Sequence, residues 1–197
     1  MAARRASFLV LASFAFLSLL PVVASGGSTK RLDSSWKKYR NQQWGFCVDY
    51  PRRWIRGDAF EGAGLFVGTG VQRYSKPVGE IDVAVVPGPA EAAPAASLTL
   101  VDNLQIHLDG LKRFERAERM EVLEQRKIDL EGNPALFTRD RYYDPLERSS
   151  WIEEVVFAKH KEVLYRLELE CRSDQLERFD VAFNHVLNTF QFDCASR

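Results

Sequence analysis

An α+β fold, with helices laid over a largely antiparallel sheet, is what the order of patterns along this chain predicts. Two stretches carry apolar residues at helical spacing, Leu98 to Phe114 and Leu176 to Leu187. Several others alternate apolar and polar residues and are joined by short turns, as hairpin-linked strands are. In all, about six to seven strands and two helices are counted.

The elements follow in order. Arg4 and Arg5 precede an apolar run from Phe8 to Val23, with small residues at Val22, Ala24 and Ser25. This is the pattern of a secretory signal, read as residues 1–24. Its run, broken by Ser13, Ser18 and Pro21, is short for a membrane span. Residues 25–35, "SGGSTKRLDSS", are small and polar and read as a mobile lead-in. The remainder, 36–197, has the length of one domain. Within it, 36–43 is read as a helical turn or covering segment, and 46–50 as a first strand ended by Pro51. "GLFVG" and "EIDVAVV" follow as strands around a Gly-rich loop from Gly68 to Gly79. The Pro/Ala connection 87–96 leads into the first helix, whose Val101, Leu104, Leu108 and Leu111 share one face. Two hairpins come next, turning at Glu131-Gly132-Asn133 and at His160-Lys161. Asp174 with Glu177 has capping-box spacing for the last helix, and the chain closes on a short strand.

Three cysteines in an exported chain allow one disulfide. Cys171 and Cys194 each end a strand pattern on its apolar face. If the last helix is a crossover, those strands run parallel and bring both sulfurs to one end of the sheet. Cys171–Cys194 is therefore the expected bridge. Cys47, out of phase with Phe46 and Val48, is expected to be unpaired.

The stretch "GFCVDYPRRW", with Gly45, Phe46, Tyr50, Pro51 and Trp54, resembles the Gly-Phe-x-x-x-Tyr-Pro-x-x-Trp entry of PsbP-like proteins. Their fold is shared with the Mog family of Ran-binding proteins and a bacterial exported family of unknown function. "LEGNPALF" at 130–137 and "VLNTFQF" at 186–192 agree with the same pattern. The resemblance implies an α-β-α sandwich around a central antiparallel sheet. It also implies docking without catalysis, because PsbP members dock on a photosystem and Mog proteins on a GTPase. No functional residue transfers with it.

Charge gives the one local pointer to a partner. Lys30, Arg31, Lys37, Lys38, Arg40, Arg52, Arg53 and Arg56 face only Asp33 and Asp49 over the same span. That leaves residues 57–197 with an excess of eight acids. Lys37, Lys38, Arg40, Arg52 and Arg53 are the expected partner-binding residues, and the partner is an unidentified protein or an anionic envelope component. Nucleic acid is disfavoured by export and a near-neutral total.

No catalytic motif, metal-ligand spacing or cofactor signature is found: His107, His160 and His185 stand apart in sequence, and no Gly-x-Ser-x-Gly occurs. The main reading is a non-enzymatic exported binding or assembly module without cofactors. The alternative is a small-ligand carrier or hydrolase with a pocket lined by Trp44, Trp54 and Trp151 and acids from the 140–147 loop.

Overall fold

The computed structural model describes residues 35–57, 65–69, 78–86, 98–114 and 117–194, all within the unit Arg31–Arg197. The expected signal, nearly all of the lead-in, most of the Gly-rich loop and the Pro/Ala connection lie outside the described residues.

The elements are β1 (Trp36–Arg40), β2 (Cys47–Pro51), β3 (Ile55–Gly57), β4 (Leu65–Gly68), β5 (Gly79–Val86), α1 (Leu100–Phe114), β6 (Glu118–Leu130), β7 (Asn133–Asp144), β8 (Ser149–His160), β9 (Val163–Arg172) and α2 (Leu176–Thr189). Strands β3 to β9 form one antiparallel sheet in the order β3-β4-β5-β9-β8-β7-β6, and β1 and β2 form a separate two-stranded ribbon. The large sheet is two meanders, β3-β4-β5 and β6-β7-β8-β9, joined where β5 pairs with β9. The fold is α+β, as expected.

Turn chemistry sets the register of the hairpins. Glu131 and Gly132 both have positive φ, 49° and 77°, the backbone hand that matches strand twist in a two-residue turn. Asp129 Oδ1 accepts the Gly132 N–H at 2.7 Å, which fastens that turn.

Each face of the sheet has its own helix. Ile152, Val156, Leu167 and Leu169 face α2 and the ribbon in the larger core cluster, which also holds Phe46, Tyr50, Trp54, Phe179 and Phe183. Val155, Phe157 and Leu164 face the opposite way and pack with Leu104, Leu108 and Leu111 of α1. Val101, expected on the same stripe, is 56% exposed, and it is Leu100 that packs against this cluster in the first turn. The capping box belongs to α1: Thr99 Oγ1 accepts the Asp102 N–H at 3.1 Å, and Asp102 Oδ2 accepts the Thr99 N–H at 3.0 Å. At α2 the expected Asp174/Glu177 box does not form. Ser173–Gln175 make a 3-10 turn, and the N-cap is Gln175 with no side-chain cap bond. The stripe Leu176, Phe179, Phe183, Leu187 does face the core. Phe179 lies so close over Gly79 that an added Cβ there would stand 2.5 Å from its ring.

Three further expectations are corrected. Residues 36–40 are a strand, not a helical turn, because β1 finds a partner in β2 in the register Trp36↔Pro51 to Arg40↔Cys47. The closing segment is not a strand of the sheet. It touches β2 at the single bridge Cys47↔Gln191, and a turn follows.

The third is the disulfide, which joins Cys47 to Cys194 with Cα atoms 5.9 Å apart, while Cys171 is free and buried. The parallel-strand assumption fails for a simple reason. Helix α2 starts at the Cys171 end of β9 and returns the chain to the β8–β9 turn, where Asp193 meets His160 and Lys161. The few residues left cannot cross the sheet again. Cys194 stays at the end remote from Cys171, where β2 supplies Cys47.

Candidate functional site

The basic residues singled out from sequence lie on the ribbon and the turn that follows it. Lys37, Lys38 and Arg40 are exposed on β1, and Arg52 and Arg53 are exposed in the turn after β2. Lys37 stands opposite Tyr50 and Lys38 opposite Asp49. The Arg52 N–H binds the Ser35 carbonyl at 3.0 Å, so Arg52 and Arg53 emerge beside the Lys37 end of β1. Arg40 lies at the other end, about 10 Å along the strand. The ribbon is anchored to α2: Trp36 stacks on His185 with ring centroids 3.5 Å apart, and the Asp49 N–H binds Thr189 Oγ1 at 3.1 Å. Arg56 lies over the Tyr39 ring, 5.7 Å from its centroid.

The alternative aromatic pocket does not assemble. Trp54 is buried against Phe179, ring centroids 5.4 Å apart, in the α2-side core. Trp44 packs at the edge of the same core. Trp151 is buried in β8, in phase with Val155 and Phe157 on the α1 side, so the sheet separates it from the other two. Of the loop acids, Asp140 is buried in β7 and Asp144 caps its own turn through the N–H groups of Leu146 and Glu147.

A cavity of about 460 Å³ opens instead beside the disulfide, lined by Glu131, Asn133, His160, Gln191, Phe192, Asp193 and Cys194. His160 lies flat on Phe192, centroids 4.5 Å apart, and its ring nitrogens are held by Asn133 at 3.1 Å and Asp193 at 2.9 Å.

The densest chemistry is on the α1 face of the sheet, and sequence reasoning missed it. Glu80 of β5, Glu170 of β9, Glu153 of β8 and Asp140 of β7 are direct cross-strand partners, one beside the next. In the neighbouring row Asp82 is opposite Glu168. All six are buried or half-buried, with Asp140, Glu153 and Glu170 the most deeply placed. His107 of α1 reaches down to this surface, its Nε2 2.9 Å from Glu153 Oε2, and its ring meets Phe157 edge-on. Arg166 pairs with Glu168 at 3.1 Å and with Asp82 at 3.4 Å. Tyr142 donates its hydroxyl to Glu170, and Thr138 Oγ1 donates to Asp140 Oδ2 at 3.1 Å.

Burial governs the protonation of these groups. It drives Glu153 well above the usual carboxylate range, with the Glu168 charge adding to the effect. Asp82 is pushed up to about 6 by burial and then by Glu168, against the pull of Arg166. Asp140 is raised by burial. For His107, burial works against the charged imidazolium, but the hydrogen bond and charge of Glu153 more than offset it and its pKa is raised. The local signal was present: β8 places Glu153 and Glu154 inside "WIEEVVF", and β9 alternates Arg166, Glu168 and Glu170 on the face a helix was expected to cover.

No family model matches the chain, and no curated protein matches it. Among solved structures it is similar to the cyanobacterial PsbP (CyanoP) of Synechocystis sp. PCC 6803, with a TM-score of 0.59 and 16% identity over 87% of this chain and 99% of that one. It is also similar to LpqN, involved in cell envelope biogenesis of Mycobacterium tuberculosis, with a TM-score of 0.51 and 13% identity over 80% of this chain and 90% of that one. The chain therefore has a PsbP-like fold, as the "GFCVDYPRRW" entry implied. At such identities the likeness is one of fold alone.

Proposed function

We propose that the protein is an exported, non-enzymatic docking module that uses its basic ribbon to bind an anionic envelope component or the acidic face of an envelope protein. This rests on the exposure of Lys37, Lys38 and Arg40 on a two-stranded ribbon separate from the main sheet, and of Arg52 and Arg53 in the turn that follows it. In this reading residues 1–24 are a cleaved signal, 25–35 a lead-in and 36–197 the docking domain. The Cys47–Cys194 disulfide supports export, because such bonds persist in oxidising compartments. The involvement of the similar LpqN in cell envelope biogenesis fits the same compartment. That no helix among the described residues is long and apolar enough to cross a membrane fits a module that binds a surface.

The test is co-sedimentation of oxidised protein with vesicles containing phosphatidylglycerol, and with isolated envelope, from low salt to 0.15 M. Association weakens steeply over that range, since exposed charges are screened within about 8 Å at 0.15 M. Reversing Lys37, Lys38 and Arg40 to Glu abolishes it and leaves the melting temperature nearly unchanged, because exposed substitutions shift stability by less than about 0.5 kcal/mol each. Association that ignores salt, or that survives the reversal, sinks the proposal.

A further inference from the structure

The row of acids beneath α1 goes beyond docking. Like charges placed directly opposite one another across strands are destabilising, and buried charges are found paired or coordinating a metal. Here four carboxylates follow one another across four adjacent strands. Three cations near its centre are already engaged: Arg166 serves Glu168 and Asp82, Lys159 donates to the Leu98 carbonyl, and His107 is spent on one oxygen of Glu153. Two carboxylate oxygens, Glu153 Oε1 and Asp140 Oδ1, have no hydrogen-bond partner among the described residues, and both side chains are fully buried.

One imidazole and two carboxylates converge at this point. A ring nitrogen of His107 and a carboxylate oxygen from each of Glu153 and Glu168 lie within 4.8 Å of one another. Ligand atoms bound to one ion at about 2.1 Å stand roughly 3 to 4 Å apart, so a swing of the half-buried Glu168 by at most about 1 to 2 Å closes the set. We propose that these three residues bind a divalent cation of the kind that accepts both imidazole and carboxylate, with Zn²⁺ or Mn²⁺ as representatives. The ion replaces the His107–Glu153 hydrogen bond, and Asp140 and Glu170, flanking Glu153 on either side, add negative field. Arg166, holding Glu168, orients that ligand as an outer partner. The three ligands come from α1, β8 and β9, so the ion pins the helix to the middle of the sheet. The site lies on the face opposite α2, is independent of the basic ribbon, and its failure leaves the docking reading untouched.

The experiment is titration of the chelator-treated full chain with Zn²⁺ alone and Mn²⁺ alone, followed by calorimetry and thermal melting. The expected result is one saturable site per chain and a higher melting temperature on loading. Affinity drops by about tenfold or more in His107→Ala and in Glu168→Gln. His160→Ala, which removes the imidazole beside the disulfide, retains it. X-ray absorption of the zinc-loaded protein shows one imidazole nitrogen at about 2.0 Å with a shell of oxygen neighbours. Circular dichroism checks that each variant folds. Should Glu153→Gln or His107→Ala prove unfolded, Glu168→Gln and the absorption spectrum decide. No saturable binding, binding that survives both His107→Ala and Glu168→Gln, loss of binding in His160→Ala, or a spectrum without imidazole overturns the proposal.

Discussion

Cys171 is fully buried in β9, and its pKa is pushed up to about 12 by burial and then by the charges of Glu154 and Glu170. A thiol in that setting offers almost no thiolate near neutral pH, and the thiolate is the reactive form. Native protein treated with iodoacetamide at pH 8 without reductant should therefore stay unmodified. In denaturant, still without reductant, one thiol per chain should react, and peptide mapping should place the label on Cys171 with Cys47 and Cys194 linked. Labelling of Cys47, or of Cys171 in the native state, would contradict both the pairing and the burial. The phase of Cys47 against Phe46 and Val48 was legible in the sequence, and it does point away from them. What could not be read was that residues 191–194 wait on that side, since this follows from where α2 ends.

At the scale of elements, α2 is held by close approach rather than by capping. Its N-cap forms no side-chain bond, whereas Phe179 presses onto the backbone of Gly79 in β5. Gly79→Ala should thus lift the helix from the sheet and destabilise the protein by about 1–3 kcal/mol, the usual range for overpacking. A denaturant midpoint equal to wild type would show that Phe179 has room to turn aside.

The same scale explains what the sequence disclosed. Hairpins β6-β7 and β8-β9 were visible because alternation and a two-residue turn are local signals. Strand β3 was missed because three residues carry no periodicity, and β1 because "WKKYRNQQ" fits either a helical turn or an edge strand. The basic ribbon was found by counting neighbours in sequence. The carboxylate row was not, because it exists only once β5, β9, β8 and β7 are set in register, and that register joins residues up to 90 positions apart, as in Glu80↔Glu170.

For the whole molecule, the raised carboxylates set a pH dependence. Asp82 at about 6 faces Arg166 and Glu168, and Glu154 at about 7 faces Arg139 and Asp180 across the α2 side, burial being the main cause for each. The folded state thus holds protons that the unfolded chain has already released, and stability declines as pH rises wherever that is so. The contribution is complete below about pH 4 and is lost as pH climbs through 6 to 7. With chelator present, melting temperature should fall from pH 5 to pH 8. A melting temperature that instead rose over this interval would mean these acids are ionised in the native state and well paired.

The bridge between Cys47 and Cys194 spans 147 positions, and so it has a mechanical meaning as well as a chemical one. Tension applied at residues 36 and 194 passes through the ribbon and the disulfide, and most of the sheet and both helices lie outside its path. The oxidised chain can lengthen only by the short arm before Cys47. Once reduced, the same chain can pay out roughly 500 Å of extended backbone at about 3.4 Å per residue. A protein tethered in the envelope would thus be a nearly inextensible link in one redox state and a long, yielding strap in the other.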